Sequence, residues 1–465
     1  MSERLSSGTR RLDAILGGGL PANGINMIIG VPGSGKTILT EQYIFHNSTA
    51  ERPALYLATV SEPFDKIIRY AENLEFFDAS AIGTRVIYED LGQALSDHGL
   101  SGVLSLVDAL IKQHHPGLVV IDSFKALHAF AIDQAEFRRF LHDLAGRLTA
   151  LAASSFWVGE YDAADSTEAP EFAVADAIIA LGITRVSERQ TRILQVRKLR
   201  GSAFAAGEHA YRITAAGLDV FPRLADPLET SDYALGTTRQ STGVEALDTL
   251  LADGYWPGST TLVCGPSGVG KTLIGLHFIF QGARAGQPGV IATLQENRIQ
   301  LARIVESFGW SLDQPGVHLM ARSPVDVYID EWVYELLDLI EKTGAKRVLI
   351  DSLADLYFTI GDPVRFREWM YSLTQRLVRQ GVSLFTTLEV PDLFDVVRVS
   401  EQGMSHLSDN VLLLQYIRRD SRIERALTVL KTRASRHDPE VRSFEISKQG
   451  IVLGPALTTN VPSVR

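Results

Sequence analysis

Cysteine is nearly missing from this sequence: Cys264 is the single one in 465 residues. A lone thiol forms no internal disulfide, and there is no Cys/His cluster with metal-ligand spacing, so neither cross-links nor a zinc-type centre should organise the fold. Lying inside an apolar run, Cys264 reads as a small buried strand residue and not a reactive thiol. Long apolar runs are missing too. None approaches the roughly 20 residues that a membrane helix needs, and the opening MSERLSSGTRR has no apolar signal-peptide core, so no membrane association and a cytoplasmic location are expected. Positive charge is scarce: 45 Lys and Arg against 55 Asp and Glu leave a net charge of −10. That balance argues against a protein that coats nucleic acid, because phosphate binding draws on surplus Lys and Arg.

What is present occurs twice. GVPGSGKT at residues 30–37 returns as GPSGVGKT at residues 265–272, 235 positions later. Residues 6–21, SSGTRRLDAILGGGLP, match residues 241–257, STGVEALDTLLADGYWP, with Asp13 and Asp248 again 235 apart. An apolar run ending in Asp122 matches one ending in Asp351, and Lys198-Leu199-Arg200 matches Lys431-Thr432-Arg433, at offsets of 229 and 233. Chance does not hold four features to within six residues over such a span, so the chain reads as a tandem duplication. Its length fits two domains of about 230 residues. We place them at 1–228 and 236–465, around a Pro, Asp, Ser and Gly-containing linker.

Within each half, short Val/Ile/Leu runs alternate with longer helical patterns. INMIIG precedes KTILTEQYIFHN, ALYLAT precedes PFDKIIRYAENL, and GLVVID precedes FRRFLHDLAGRLTALA. Continuous apolar runs suit strands buried on both faces, hence a mostly parallel sheet flanked by helices. The closing segment of each half reads as a hairpin of longer strands. The expected fold is two tandem RecA-like P-loop NTPase domains of the α/β class.

The loop pattern G-x-x-x-x-G-K-[ST] carries a mechanism: glycines let backbone N–H groups approach an anion, the next helix adds its dipole, the lysine reaches the β/γ-phosphates and the hydroxyl ligates Mg²⁺. Gly30, Gly33, Ser34, Gly35, Lys36 and Thr37, and then Gly265, Gly268, Val269, Gly270, Lys271 and Thr272, are the expected ATP-binding residues. Asp122 and Asp351 end apolar strands, where a carboxylate can hold the Mg²⁺ together with Thr37 and Thr272; an aspartate there could instead cap the next helix. Glu62 and Glu296, 234 apart and just past the second strand of each half, are candidates for orienting the attacking water, against a simple role at a helix N-terminus. Glu160 and Glu389 follow the strand after each aspartate, as γ-phosphate sensors or as solvated strand ends. Lys198 and Arg200, with Lys431 and Arg433, place two cations on one strand face. They would become trans-acting fingers if that face meets a neighbour's phosphate site, which implies a ring.

These segments resemble the KaiC family of the RecA superfamily over roughly residues 5–450. RRLDAILGGGLP, both phosphate loops, KLRGSAFAAGEHAYRITAAGLDVFP, NVLLLQY and KTRASRHDPEVRSFEIS are similar to family segments in the same order. The resemblance implies a double-ring homohexamer with ATP between protomers, an ATPase first ring, a second ring able to phosphorylate adjacent Ser and Thr, and signalling or timing partners. The family's two consecutive glutamates are here Ser61-Glu62 and Gln295-Glu296, and its phosphoacceptor pair is Ser405-His406. The reading is therefore an ATP-hydrolysing signalling protein with weak serine autokinase activity at most. A RecA-type DNA-dependent ATPase is the alternative, but it would call for basic, Gly-rich DNA loops that the sequence lacks.

Overall fold

The computed structural model describes residues 3–59, 64–162, 169–186, 189–224, 236–391, 394, 406–419, 421–433 and 435–457. It divides into two units, Met1–Arg223 and Leu224–Arg465. In the first, the main strands are β1 (Ile25–Gly30), β2 (Ala54–Ala58), β3 (Val86–Asp90), β4 (Leu118–Asp122), β5 (Ser154–Gly159), β6 (Ala177–Val186), β7 (Arg189–Leu199), β8 (His209–Thr214) and β9 (Gly217–Phe221). They form one sheet in the order β9-β8-β7-β6-β1-β5-β4-β2-β3. The six strands from β6 to β3 run parallel, and β7, β8 and β9 continue it antiparallel.

The second unit repeats this with β10 (Thr260–Gly265), β11 (Gly289–Thr293), β12 (Val317–Ala321), β13 (Arg347–Asp351), β14 (Ser383–Glu389), β15 (Asn410–Arg419), β16 (Arg422–Thr432), β17 (Arg442–Ser447) and β18 (Gly450–Ala456). Read from its antiparallel side, the order is β18-β17-β16-β15-β10-β14-β13-β11-β12, the same as in the first. Two RecA-like sheets, each mostly parallel, are thus built by the duplicated sequence. The expected closing hairpins are β6–β7 and β15–β16.

Helices of the first unit include α1 (Lys36–Asn47), α2 (Gly92–His114), α3 (Gln134–Ala150) and the short α4 (Glu171–Val174); the second has α5 (Lys271–Arg284), α6 (Arg298–Glu306), α7 (Ile329–Thr343), α8 (Leu353–Ile360) and α9 (Pro363–Arg379). Both faces of each sheet are covered, so every residue of β1 and of β10 is buried. Burying one such Ile, Leu or Val side chain contributes about 1.5–3 kcal/mol, which is why these runs read as strands and not as amphipathic helices. Among the described residues, α2 is the one helix long and apolar enough to cross a membrane by length and composition. Gly99 breaks its helical dihedrals, and Leu95, Leu100, Val103, Val107 and Leu110 pack into the first unit's core.

The repeated Leu-Asp motif near each unit's start is a structural clamp. Asp13 accepts from Ser6 Oγ at 2.6 Å and from the Ser7 N–H at 2.7 Å, and Asp248 does the same with Ser241 Oγ and the Thr242 N–H, both at 2.6 Å. A carboxylate so held stiffens the turn leading into the core.

Candidate nucleotide site at the carboxyl edge of each sheet

Strand order brings the candidate residues together. In the first unit β5 lies between β1 and β4, so residues 30–37 after β1, Asp122 at the end of β4 and Glu160 after β5 meet along one carboxyl edge. In the second unit β14 lies between β10 and β13 and gathers residues 265–272, Asp351 and Glu389 in the same way. Ligands of open parallel sheets bind at this edge.

The loops turn into helices through glycines that no other residue replaces cheaply. Gly35 and Gly270, the residues just before α1 and α5, have φ of 89° and 117°, a left-handed backbone that costs a side-chain-bearing residue about 1 kcal/mol or more. Ser34 and Val269 are buried, and Val269 packs into the second unit's core, so its part in the loop is through its backbone.

The lysines lie over their loops. Lys36 Nζ donates to the Val31 carbonyl at 3.0 Å and lies 3.6 Å from Glu160 Oε1; Lys271 Nζ donates to the Pro266 carbonyl at 2.9 Å. Burial pulls both ammonium groups below the usual lysine range, while Glu160 and Asp122, or Glu389 and Asp351, push them back up. A partly desolvated ammonium beside a row of amide N–H groups is suited to an entering polyphosphate. Thr37 Oγ1 donates to Asp122 Oδ2 at 3.2 Å and Thr272 Oγ1 to Asp351 Oδ2 at 2.7 Å. Neither aspartate caps the following helix, since Ser123 and Ser352 hold those positions. In the first unit the loop, Lys36, Thr37, Asp122 and Glu160 line an open cleft of about 870 Å³.

Glu296 stands beside this edge in the second unit. Its Oε2 accepts from Thr293 Oγ1 at 3.1 Å, and burial first, then Asp351, holds its carboxyl above the usual range. It is not the cap of α6: Asn297 is, in a capping box with Gln300. Gln295 donates instead to Ser352 Oγ at 3.3 Å and Asp355 Oδ2 at 3.1 Å. Glu62, Ser61 and Ser405 lie outside the described residues.

The Lys-x-Arg pairs lie elsewhere. Lys198 pairs with Ile178, which pairs with Met27, three residues before Gly30, so it belongs to the amino-edge half of the sheet, about 10 Å along the strand from the phosphate loop. Lys198 Nζ donates to the Phe172 and Ala173 carbonyls at 3.0 and 3.2 Å, and Arg200 to Ala173 at 3.0 Å. In the second unit Lys431 donates to the Ser408 carbonyl at 2.7 Å and Arg433 to that of His406 at 2.8 Å. Cys264 is buried in β10, and burial pushes its thiol up to about 12.

Sequence reasoning missed two hydroxyls. Tyr56 on β2 donates to Asp122 Oδ2 at 2.7 Å, and Thr387 on β14 donates to Asp351 Oδ1. It also missed Glu41 on α1, which is buried and accepts from the Tyr88 hydroxyl at 3.4 Å; burial holds its carboxyl at about 8.

Comparison with known proteins agrees with this geometry. The family model described as "ATPase: KaiC" matches residues 5–225 and again 240–458. A circadian clock oscillator protein KaiC of a Picosynechococcus species is 27% identical over 95% of this chain and 88% of its own length. The circadian clock protein KaiC3 of a Synechocystis species is 27% identical over 97% of this chain and 92% of its own. With two sheets of one topology, a phosphate loop, lysine, threonine and aspartate at each carboxyl edge, and the family model matched twice, the chain belongs to the KaiC ATPase family.

Proposed function

We propose that each half binds ATP with Mg²⁺ at its carboxyl edge and hydrolyses it, in a homohexamer that couples turnover to a signalling or timing partner. The observation that carries this is the repeated convergence of lysine, threonine and aspartate on the end of one loop. Thr37 with Asp122, and Thr272 with Asp351, are all-oxygen donor pairs of the kind a hard divalent cation takes. Mg²⁺ held there would neutralise charge on the β- and γ-phosphates. Lys36 and Lys271 bind the phosphates, while Glu62 and Glu296 orient the attacking water.

Lys198 and Arg200, with Lys431 and Arg433, act on a neighbour. Their place away from their own phosphate loop supports trans action and, with it, a ring. Transfer to a protein hydroxyl is weak or absent: Gln295 cannot take a proton at neutral pH, and of the family's two acceptor positions only Ser405 keeps a hydroxyl.

The test is nucleotide stoichiometry. Lys36→Ala and Lys271→Ala should each lower bound nucleotide from two per chain to one, since each removes a charge-assisted contact worth about 1.5–3 kcal/mol. Two nucleotides bound with unchanged affinity in either variant would refute the two-site reading.

A further inference from the structure

The first half holds its aspartate with a tyrosine that the second half lacks. Tyr56 is fully buried, and its hydroxyl donates to the same Asp122 oxygen that Thr37 reaches. The matching position 235 residues on is Ile291. In the second half the donor comes from the other flank: Thr387 on β14 donates to Asp351, and the position 229 residues earlier is Val158. Besides the loop threonine, each half therefore sets one flanking-strand hydroxyl against its aspartate and an aliphatic side chain on the opposite flank, Tyr56 with Val158 or Thr387 with Ile291.

The two strands flanking the aspartate have thus swapped the duty, and the oxygen they hold differs: Tyr56 shares Oδ2 with Thr37, whereas Thr387 takes Oδ1 and leaves Oδ2 to Thr272. A tyrosine in a buried parallel strand needs a partner for its hydroxyl, and a threonine fully buried in β14 equally so. Both find it on the carboxylate, where a neutral O–H donor limits rotation of the group without cancelling its charge.

We propose that Tyr56 in the first half, and Thr387 in the second, are positioning residues that hold Asp122 and Asp351 in the orientation that receives the divalent cation. The proposal rests on the reading of those aspartates as metal-holding. Partners that orient a ligating group are commonly worth 10- to 100-fold in metal affinity.

The test uses the full chain with Lys271→Ala, so that the first site alone takes nucleotide, loaded with a non-hydrolysable ATP analogue and titrated with Mn²⁺ by electron paramagnetic resonance. Tyr56→Phe keeps the ring and removes only the hydroxyl. It should weaken Mn²⁺ binding 10- to 100-fold, raise the Mg²⁺ concentration for half-maximal turnover by a similar factor, and leave nucleotide affinity at saturating metal within about twofold. Unchanged Mn²⁺ affinity would overturn the proposal. The mirror variant Thr387→Val with Lys36→Ala tests the second half independently, with the same expected and overturning results. Asp122→Asn separates the two layers of the argument. If it leaves Mn²⁺ binding intact the metal reading itself fails, whereas loss there with none in Tyr56→Phe removes only the positioning role.

Discussion

The two halves agree at their strand ends and part company one layer beneath. Phosphate loop, lysine, threonine and aspartate stand in matching places, yet behind the first aspartate lie Glu41, Tyr56 and Tyr88, where the second half has Leu276, Ile291 and Leu319. Tyr56 and Tyr88 pack with ring centroids 5.1 Å apart, and Tyr88 reaches Glu41. Three apolar side chains make the corresponding region of the second half a simple extension of its core. A duplicated scaffold thus keeps fixed what the ligand would touch and lets the supporting layer vary, so long as no buried polar group is stranded.

The largest expected effect tests whether the halves share their dependence on a neighbour. Arg200→Ala should slow first-half turnover by about 10³-fold with nucleotide binding little changed, and Arg433→Ala should do the same in the second half. Mixing Arg200→Ala with Lys36→Ala chains should restore part of the first-half rate, followed by ADP production. A monomer that turns ATP over at full rate removes the basis for this expectation.

A smaller loss, about 10²-fold, is expected from Glu296→Gln in second-half turnover, because it deletes the group proposed to orient water while leaving the phosphate contacts. Equal rates for the variant and its parent, in a Lys36→Ala background, would assign that role elsewhere.

Gln295→Glu sharpens the comparison in the opposite direction, by adding a proton acceptor. Intact mass after long incubation with Mg²⁺-ATP should show little or no phosphate on the parent and an increase on Ser405 in the variant. Near-stoichiometric phosphate on the parent would mean that Gln295 does not disable transfer.

The smallest effect concerns Glu41, which has no counterpart in the second half. Its carboxyl is held at about 8 when folded against an ordinary value near 4.5. Below 4.5 both states are protonated; between 4.5 and 8 the unfolded state ionises first, so stability falls as pH rises through that window. Glu41→Gln should flatten this slope, by at most about 1.4 kcal/mol per pH unit, in urea unfolding at pH 6 and pH 8. Parallel slopes for parent and variant would show that Glu41 ionises freely.

Residues with spacing were legible and residues without it were not. The phosphate loops and the two aspartates announce themselves because glycine geometry and the strand end constrain them in sequence. Strand alternation with helices was equally plain, since buried parallel strands are unbroken apolar runs. Tyr56 was invisible because a tyrosine inside ALYLA reads as one more core residue, and Glu41 because one acid on a helix reads as a solvated face. Setting the halves side by side would have found both: Glu41 against Leu276 and Tyr56 against Ile291 trade a polar group for an aliphatic one within an otherwise matched frame.

The separation of phosphate loop from Lys-x-Arg pair within one sheet also sets an arithmetic for assembly. Under the proposed trans action every contact is head-to-tail, so for each half an open arc of n chains has one pair with nothing to act on and one proposed nucleotide site without its cations. Closure repairs both ends in a single step. Specific activity would then climb most steeply at the concentration where arcs become rings, and a chain lacking only its cations would silence one neighbour and no other.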